Sequence, residues 1–313
     1  MRVREAGLRA LSWGGAIAVC AALGGLLSFL LVRGVPTLGP ALLFGSTPPM
    51  EAILALKPVW DGIWPAMLGT LSLLAVTMAL ALVPGIGCGI YLACYAPPGK
   101  KQALETAVDV LAGIPSIVMG LFGFVLILFL RRTPELWQTW QRLDRLGQDL
   151  RTLLPRGTTC LLLASVCLAI LVLPTLVTAT QSALEALPER LYIDAAALGL
   201  SRGQALRHLL VPAASPGLLG GVILAMGRTV EDTAVIMLTG AVANAGLPSG
   251  LTAKFEALSF RIYYTAAQYA DQDELARAFG TALVLLALSA LLSLAAYCLQ
   301  RRLERRWRRG GAS

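Results

Sequence analysis

Apolar positions along this chain gather into long runs separated by shorter polar stretches. Six runs reach the about 20 predominantly apolar residues that a membrane-crossing helix needs. They cover roughly 11–32, 66–92, 106–130, 158–180, 213–241 and 276–300. The pattern predicts an all-α integral membrane protein, a six-helix transmembrane bundle forming one domain over 1–313. The first run follows Arg2, Arg4 and Arg9, as a signal peptide would. Its length exceeds the 7–15 apolar residues of a cleaved signal, so it reads as a retained helix.

Composition agrees with lipid as the solvent. The chain is 57% hydrophobic and only 14% charged, against about 25% charged in ordinary soluble domains. Its net charge of +8 does not call for nucleic acid. Arg301, Arg302, Arg305, Arg306, Arg308 and Arg309 cluster just beyond the last apolar run, where a cytoplasmic juxtamembrane segment carries its basic residues. With six spans both termini share a side, and the same bias makes that side cytoplasmic. The loops at 93–105 and 181–212 are then cytoplasmic, and those at 33–65, 131–157 and 242–275 face outward. The localisation expected from the residues is a membrane crossed several times, with both ends on its cytoplasmic side. The cysteines (Cys20, Cys88, Cys94, Cys160, Cys167, Cys298) lie in or beside apolar runs and form no Cys-x-x-Cys pair. They read as packing residues, with no metal site and no disulfide framework.

Within 131–157 charged residues alternate with Leu136, Trp140, Leu143, Leu150 and Leu154 at helical spacing. That is an amphipathic helix on a membrane surface, an anchor or a docking face. Its arginines oppose the outward placement. Proline and glycine punctuate the spans in "VPGIGCGIYL", "AGIPSIVMGLFG" and "LVLPTLV". Such residues survive in a bilayer where neighbouring helices or a cavity satisfy the freed backbone groups, or where helices approach closely.

The cytoplasmic stretch "EALPERLYIDAAALGLSRGQALRHLLVPAASPG" is too helix-prone to be a plain connector. Pro188 opens one helix and Gly199 is placed to close it. Ser201 caps a second short helix that is expected to stop before Pro212. Two short helices meeting at a glycine make a knob suited to a partner protein.

Here the chain resembles a known family. "DAAALG", with "LLVP" following, is similar to the EAA loop of ABC importer permeases, and the spacing from Gly199 to Pro212 matches. The resemblance implies a coupling helix, carried by Asp194, Ala195, Ala196, Gly199 and Pro212, seated in an ATP-hydrolysing subunit. The family's Glu falls at Ile193 and the acidic residue here is Asp194, one position later. In the fifth run, "MGRTVEDTAVIMLTG" resembles PstA-type phosphate permeases, in which an Arg is followed four residues later by an acid and then Thr-Ala. "GIPSIVMGLFGF" resembles that family's third-span motif. The resemblance implies the type I ABC importer permease fold and transport of inorganic phosphate, with another oxyanion or phosphonate as the alternative. It also implies a homologous second permease, ATP-binding cassette subunits that hold ATP and Mg, and an external phosphate-binding protein. The chain itself would bind no cofactor and catalyse nothing.

The residues pose their own question at Arg228, Glu231, Asp232 and Thr233, ionisable and polar groups in a run built for lipid. Each charge at mid-bilayer costs roughly 2.5–3.5 kcal/mol. On a continuous helix, spacings of three and four put Glu231 and Asp232 on one broad face with Arg228. A local ion pair would lower the cost. Alternatively the face lines a wet path in which Arg228 attracts an anion and Asp232 tempers its grip. Glu231 pairs with a partner, is protonated or points away. A membrane enzyme using Glu231 and Asp232 is disfavoured, since adjacent helical residues point about 100° apart. A passive channel has no use for the knob. No Gly-x-x-x-x-Gly-Lys-Ser/Thr loop occurs, so ATP hydrolysis by that route belongs elsewhere.

Overall fold

The computed structural model describes residues 2–54, 59–132, 160–248 and 250–310. The amphipathic helix expected over 131–157 lies outside the described residues from 133 onward. Among the described residues thirteen α-helices follow in chain order: α1 (Arg2–Gly34), α2 (Pro40–Phe44), α3 (Pro49–Ile53), α4 (Trp64–Cys94), α5 (Pro98–Ala112), α6 (Ser116–Arg132), α7 (Leu161–Glu185), α8 (Glu189–Ala197), α9 (Arg202–Ala205), α10 (Val211–Glu231), α11 (Ala234–Thr239), α12 (Leu258–Gln268) and α13 (Gln272–Gly310). No strand of regular length occurs among the described residues; one isolated bridge joins Ala241 and Phe255.

Burial ranks the long helices. For α7, 67% of its most apolar stretch is buried inside the protein, against 0% for α1 and 6% for α13. The centre is α7, flanked by α4 and α10, with Leu74, Met78, Ala169, Val172, Leu176 and Ala225 in one apolar cluster. In lipid the hydrophobic effect cannot pull helices together, so close packing of small residues does it. Ala179 and Ala183 on α7 face Gly221 and Gly217 on α10; a Cβ on Gly221 would collide with that of Ala179. α4 meets the adjoining face of α7 through Gly85 and Gly89, against Leu176 and Thr180. Gly85 and Gly89 of the quoted "VPGIGCGIYL" are therefore contact points, whereas a Cβ on Gly87 would meet open space.

Two expected spans are broken. The run read as one helix over 106–130 is α5 followed by α6, bent by 90°. Pro115 disfavours helical backbone at the residue before it and has no amide to donate; the chain turns at Gly113–Pro115. The run over 213–241 is α10 followed by α11. At Asp232 the backbone is extended (φ −68°, ψ 121°), and its carboxylate accepts the Val235 amide at 2.8 Å. An aspartate bonded to an amide three residues on offers the backbone an alternative to helix. The helix expected to stop before Pro212 instead continues. A π-helical turn at Leu206–Leu210 leads into α10, with Val211 donating to the Leu206 carbonyl. The wider turn makes room for Pro212 in the first turn of α10.

Beyond α11 the chain folds back over the end of α7. Leu161 and Leu162 donate to the carbonyls of Ala253 and Leu251 (3.1 and 2.8 Å). The Leu258 amide donates to the Thr70 hydroxyl at 2.9 Å.

Candidate functional site

The register of α10 on α7 sets the depth of the charged residues. Ala183 faces Gly217 and Ala179 faces Gly221, so the helices run antiparallel and Arg228 is level with the middle of α7. Arg228 occupies the last turn of α10, where a cation suits the negative end of the helix dipole. Its side chain is exposed from this chain, and no carboxylate oxygen lies within 4.0 Å of it among the described residues. Glu231, one turn on, is exposed too. The tight local ion pair considered from the sequence is not formed.

Asp232 is half-buried at the break between α10 and α11. It is not on a continuous helical face with Arg228. Its electrostatic neighbours include the Val235 amide, the Ser116 side chain and the Arg228 guanidinium. Its carbonyl accepts from the Ser259 hydroxyl at 3.3 Å. Thr233, also half-buried, is close to the Glu231 carbonyl at 3.5 Å. Ser116 is the first residue of α6, immediately after the α5–α6 bend. Two helix breaks distant in sequence thus meet: "GIPS" at one, "RTVEDT" at the other. Gly120 and Gly123 of α6 let α11 lie close, and a Cβ on Gly120 would stand 3.0 Å from the Ala234 carbonyl. Ser116 was not singled out from the sequence, although the Gly-Ile-Pro-Ser break was the signal for it.

The cytoplasmic knob is α8 and α9. Gly199 has φ +69°, the left-handed region that favours glycine. The Gly199 and Leu200 amides donate to the carbonyls of Ala196 and Ala195 at 3.0 and 3.1 Å, a Schellman closure of α8. Ser201 caps α9 reciprocally with Gln204. Ala195 is buried, while Asp194 and Ala196 are exposed. Beside them Ile193 and Leu198 stand 60% and 75% exposed, an apolar outer surface on the knob. A cavity of about 190 Å³ separates α8 from the end of α4, lined by Cys94, Tyr95, Tyr192, Arg202 and Leu206 among others. Burial, then the neighbouring Cys94 and Glu185, push the Tyr192 phenol above its ordinary range.

At the opposite end sequence reasoning missed Glu256, 2% exposed, paired with Arg261 at 2.8 Å. Burial raises its carboxyl pKa, with Arg261 and the Asn244 amide pulling the other way. The pair edges a cavity of about 240 Å³ that Asp61, Glu274 and Arg277 also line. Among the described residues no group of three His, Cys, Asp or Glu is placed to hold a metal ion.

The sequence profile of the binding-protein-dependent transport system inner membrane component matches residues 85–309. The chain belongs to this family. As a family member it is a multi-pass inner-membrane transport permease. It is 30% identical over 222 residues to the probable ABC transporter permease protein YqgI of Bacillus subtilis, covering 71% of the chain and 65% of that relative. The chain thus spans just under two thirds of that relative's length. The phosphate transport system permease protein PstC of Mesorhizobium japonicum is 31% identical, with 71% and 67% covered. PstA of Haemophilus influenzae is 29% identical, with 82% and 80% covered. Among solved structures, the MetNI methionine ABC transporter aligns at TM-score 0.55 and 19% identity, covering 82% of this chain and 99% of that one. A bacterial ABC transporter for alginate import aligns at TM-score 0.55 and 13% identity, with 91% and 95% covered. At these identities the likeness concerns the fold, which is that of type I ABC importer permeases.

Proposed function

We propose that this permease is the membrane-spanning subunit of an ATP-driven inorganic phosphate importer. The observation that carries the reading is Arg228 and Glu231, exposed at mid-span beside a break held by Asp232 and Ser116. Two charges facing hydrocarbon would each cost roughly 2.5–3.5 kcal/mol, so that face must meet water or protein. Ala213, Gly220 and Leu224 continue the exposed stripe along α10, a surface of the shape that a second, homologous permease covers. The path then runs between the two permeases. Arg228 draws the anion by its guanidinium fork, and Asp232 and Thr233 at the break keep the grip reversible. Glu231 answers a basic group on the second permease.

Phosphate is supported by relatives whose names give them as phosphate transport permeases, and by Arg228, Asp232, Thr233 and Ala234 standing in the spacing of that family. Another oxyanion or a phosphonate fits the same chemistry. Both termini and the knob face the cytoplasm, where Asp194, Ala195, Ala196, Gly199 and Pro212 frame the surface offered to ATP-binding cassette subunits. Those subunits hold ATP and Mg; an external binding protein delivers the anion. Closure of the ATPases moves the knob and opens the path past Arg228 to the other side.

The test is labelled phosphate uptake in cells lacking their own high-affinity system, supplied with this chain and its genomic neighbours. Sulfate, molybdate and phosphonate serve as competitors. Uptake blocked only by excess phosphate is expected. Arg228→Ala is expected to abolish it while the complex still assembles; full uptake by that variant would remove Arg228 from the path.

A further inference from the structure

A transporter of this kind needs a physical link from the knob to the mid-membrane break, and one run of contacts connects them. It begins on the knob, where the Tyr192 hydroxyl donates to the Leu184 carbonyl at 3.2 Å at the end of α7. The next residue, Glu185, accepts from Lys101 of α5 at 2.6 Å. Gln181, one turn back on α7, donates to Glu105 at 2.6 Å and to Glu185 at 3.0 Å. Val108 of α5 then packs with Val177 and Leu92. Contacts 101–185, 105–181 and 108–177 form one stripe, so α5 runs antiparallel along the cytoplasmic half of α7. At its far end α5 turns 90° into α6, whose first residue, Ser116, faces Asp232.

Resting on the proposed transport function, we propose that Lys101, Glu105, Gln181 and Glu185 are positioning residues that strut α5 against α7 and carry knob movement to the Ser116–Asp232 contact. The strut differs in kind from the rest of the α5–α7 seam. An ion pair braced by a side-chain amide marks one register along the helix axis, because its partners meet only when they stand opposite one another. A rigid element with a fixed register at one end and a sharp bend at the other acts as a lever. The Lys101 and Glu185 side chains are 34% and 42% exposed, and pairs as open as that add little to stability. The four residues therefore tie the register of the two helices together without holding up the fold.

The experiment uses the complete complex, with its ATPases and binding protein, in vesicles. Phosphate transported and ATP hydrolysed are measured together for wild type, Lys101→Met, Glu185→Gln and the swap Lys101→Glu/Glu185→Lys. Each single variant is expected to assemble and to hydrolyse ATP, while phosphate moved per ATP falls about five- to tenfold, within the range of ordinary coupling between sites. In the swap, Lys at 185 lies between the acids at 101 and 105, and the ratio is expected to recover. An unchanged ratio in the single variants would overturn the strut. So would a parallel loss of both activities, which marks a merely structural role. If the wild-type complex moves no phosphate, the transport reading has failed; the same wild type moving phosphate with unaffected variants sinks the strut alone.

Discussion

Replacing Asp232 by Ala and, separately, by Asn divides the two things its carboxylate does. It caps α11 through the Val235 amide at 2.8 Å, and it places a negative charge near Arg228. Loss of such a cap costs about 1 kcal/mol, and Asn caps as well as Asp. Val235 is 0% exposed, so in the Ala variant water cannot replace the bond, and an unpaired buried amide costs about 1–3 kcal/mol. Asp232→Ala is expected to lower the thermal midpoint of the purified complex by a few degrees, and Asp232→Asn to leave it unchanged. Transport separates the second role. Without the carboxylate charge, Arg228 holds the anion unopposed; about 1.4 kcal/mol in a release barrier is a factor of ten in rate, and Asn should lose at least that much uptake. Wild-type uptake by Asp232→Asn would refute the charge role, and an undiminished thermal midpoint in Asp232→Ala would refute the cap.

Gly199→Val forces a β-branched residue to φ +69° at a cost of about 1–2 kcal/mol; the ATPase should co-purify less well, or hydrolyse without transport. Gly221→Leu drives a side chain into Ala179, so α7 and α10 should separate and the amount of folded protein in the membrane should drop. Thr70→Val removes the acceptor for the Leu258 amide, a loss of about 1–3 kcal/mol to be read as a lower unfolding temperature with the 240–257 segment cleaved faster by protease.

Hydrophobic runs placed most of the long helices because lipid imposes one rule on every spanning residue. They could not show where a span breaks, since residues on either side of a break are equally apolar. The break at Asp232 had a local signature: an aspartate and a threonine directly before Ala-Val-Ile-Met-Leu, the usual start of a new helix. Read as members of one long helix, Arg228 and Asp232 looked like a pair on one face. Pro115 was visible as a kink site in the sequence, but the 90° angle was not. Pro212 misled in the other direction, because a π-helical turn absorbs it. Ser116, Glu256 and the Lys101–Glu185 contact were hidden for a simpler reason. The partners of Ser116 and Lys101, Asp232 and Glu185, lie far along the chain, where periodicity carries no information; Glu256 has Arg261 only five residues on, but is set inside by its backbone's approach to the distant Gly69.

The loose seat of α1 has a consequence for how the protein is made. Its companion is α13: Phe29 stacks edge-on against Phe279 at 5.5 Å, and the Thr37 hydroxyl reaches the Ala276 carbonyl, 239 positions away in sequence. Contacts so distant wait for the loop between them to close. During synthesis the α4–α7–α10 centre can consolidate while α1 remains in lipid with no partner, until α13 emerges from the ribosome. Docking of α1 on α13 thus cannot precede synthesis of the last helix, and a truncated chain lacking α13 leaves the first helix without that partner.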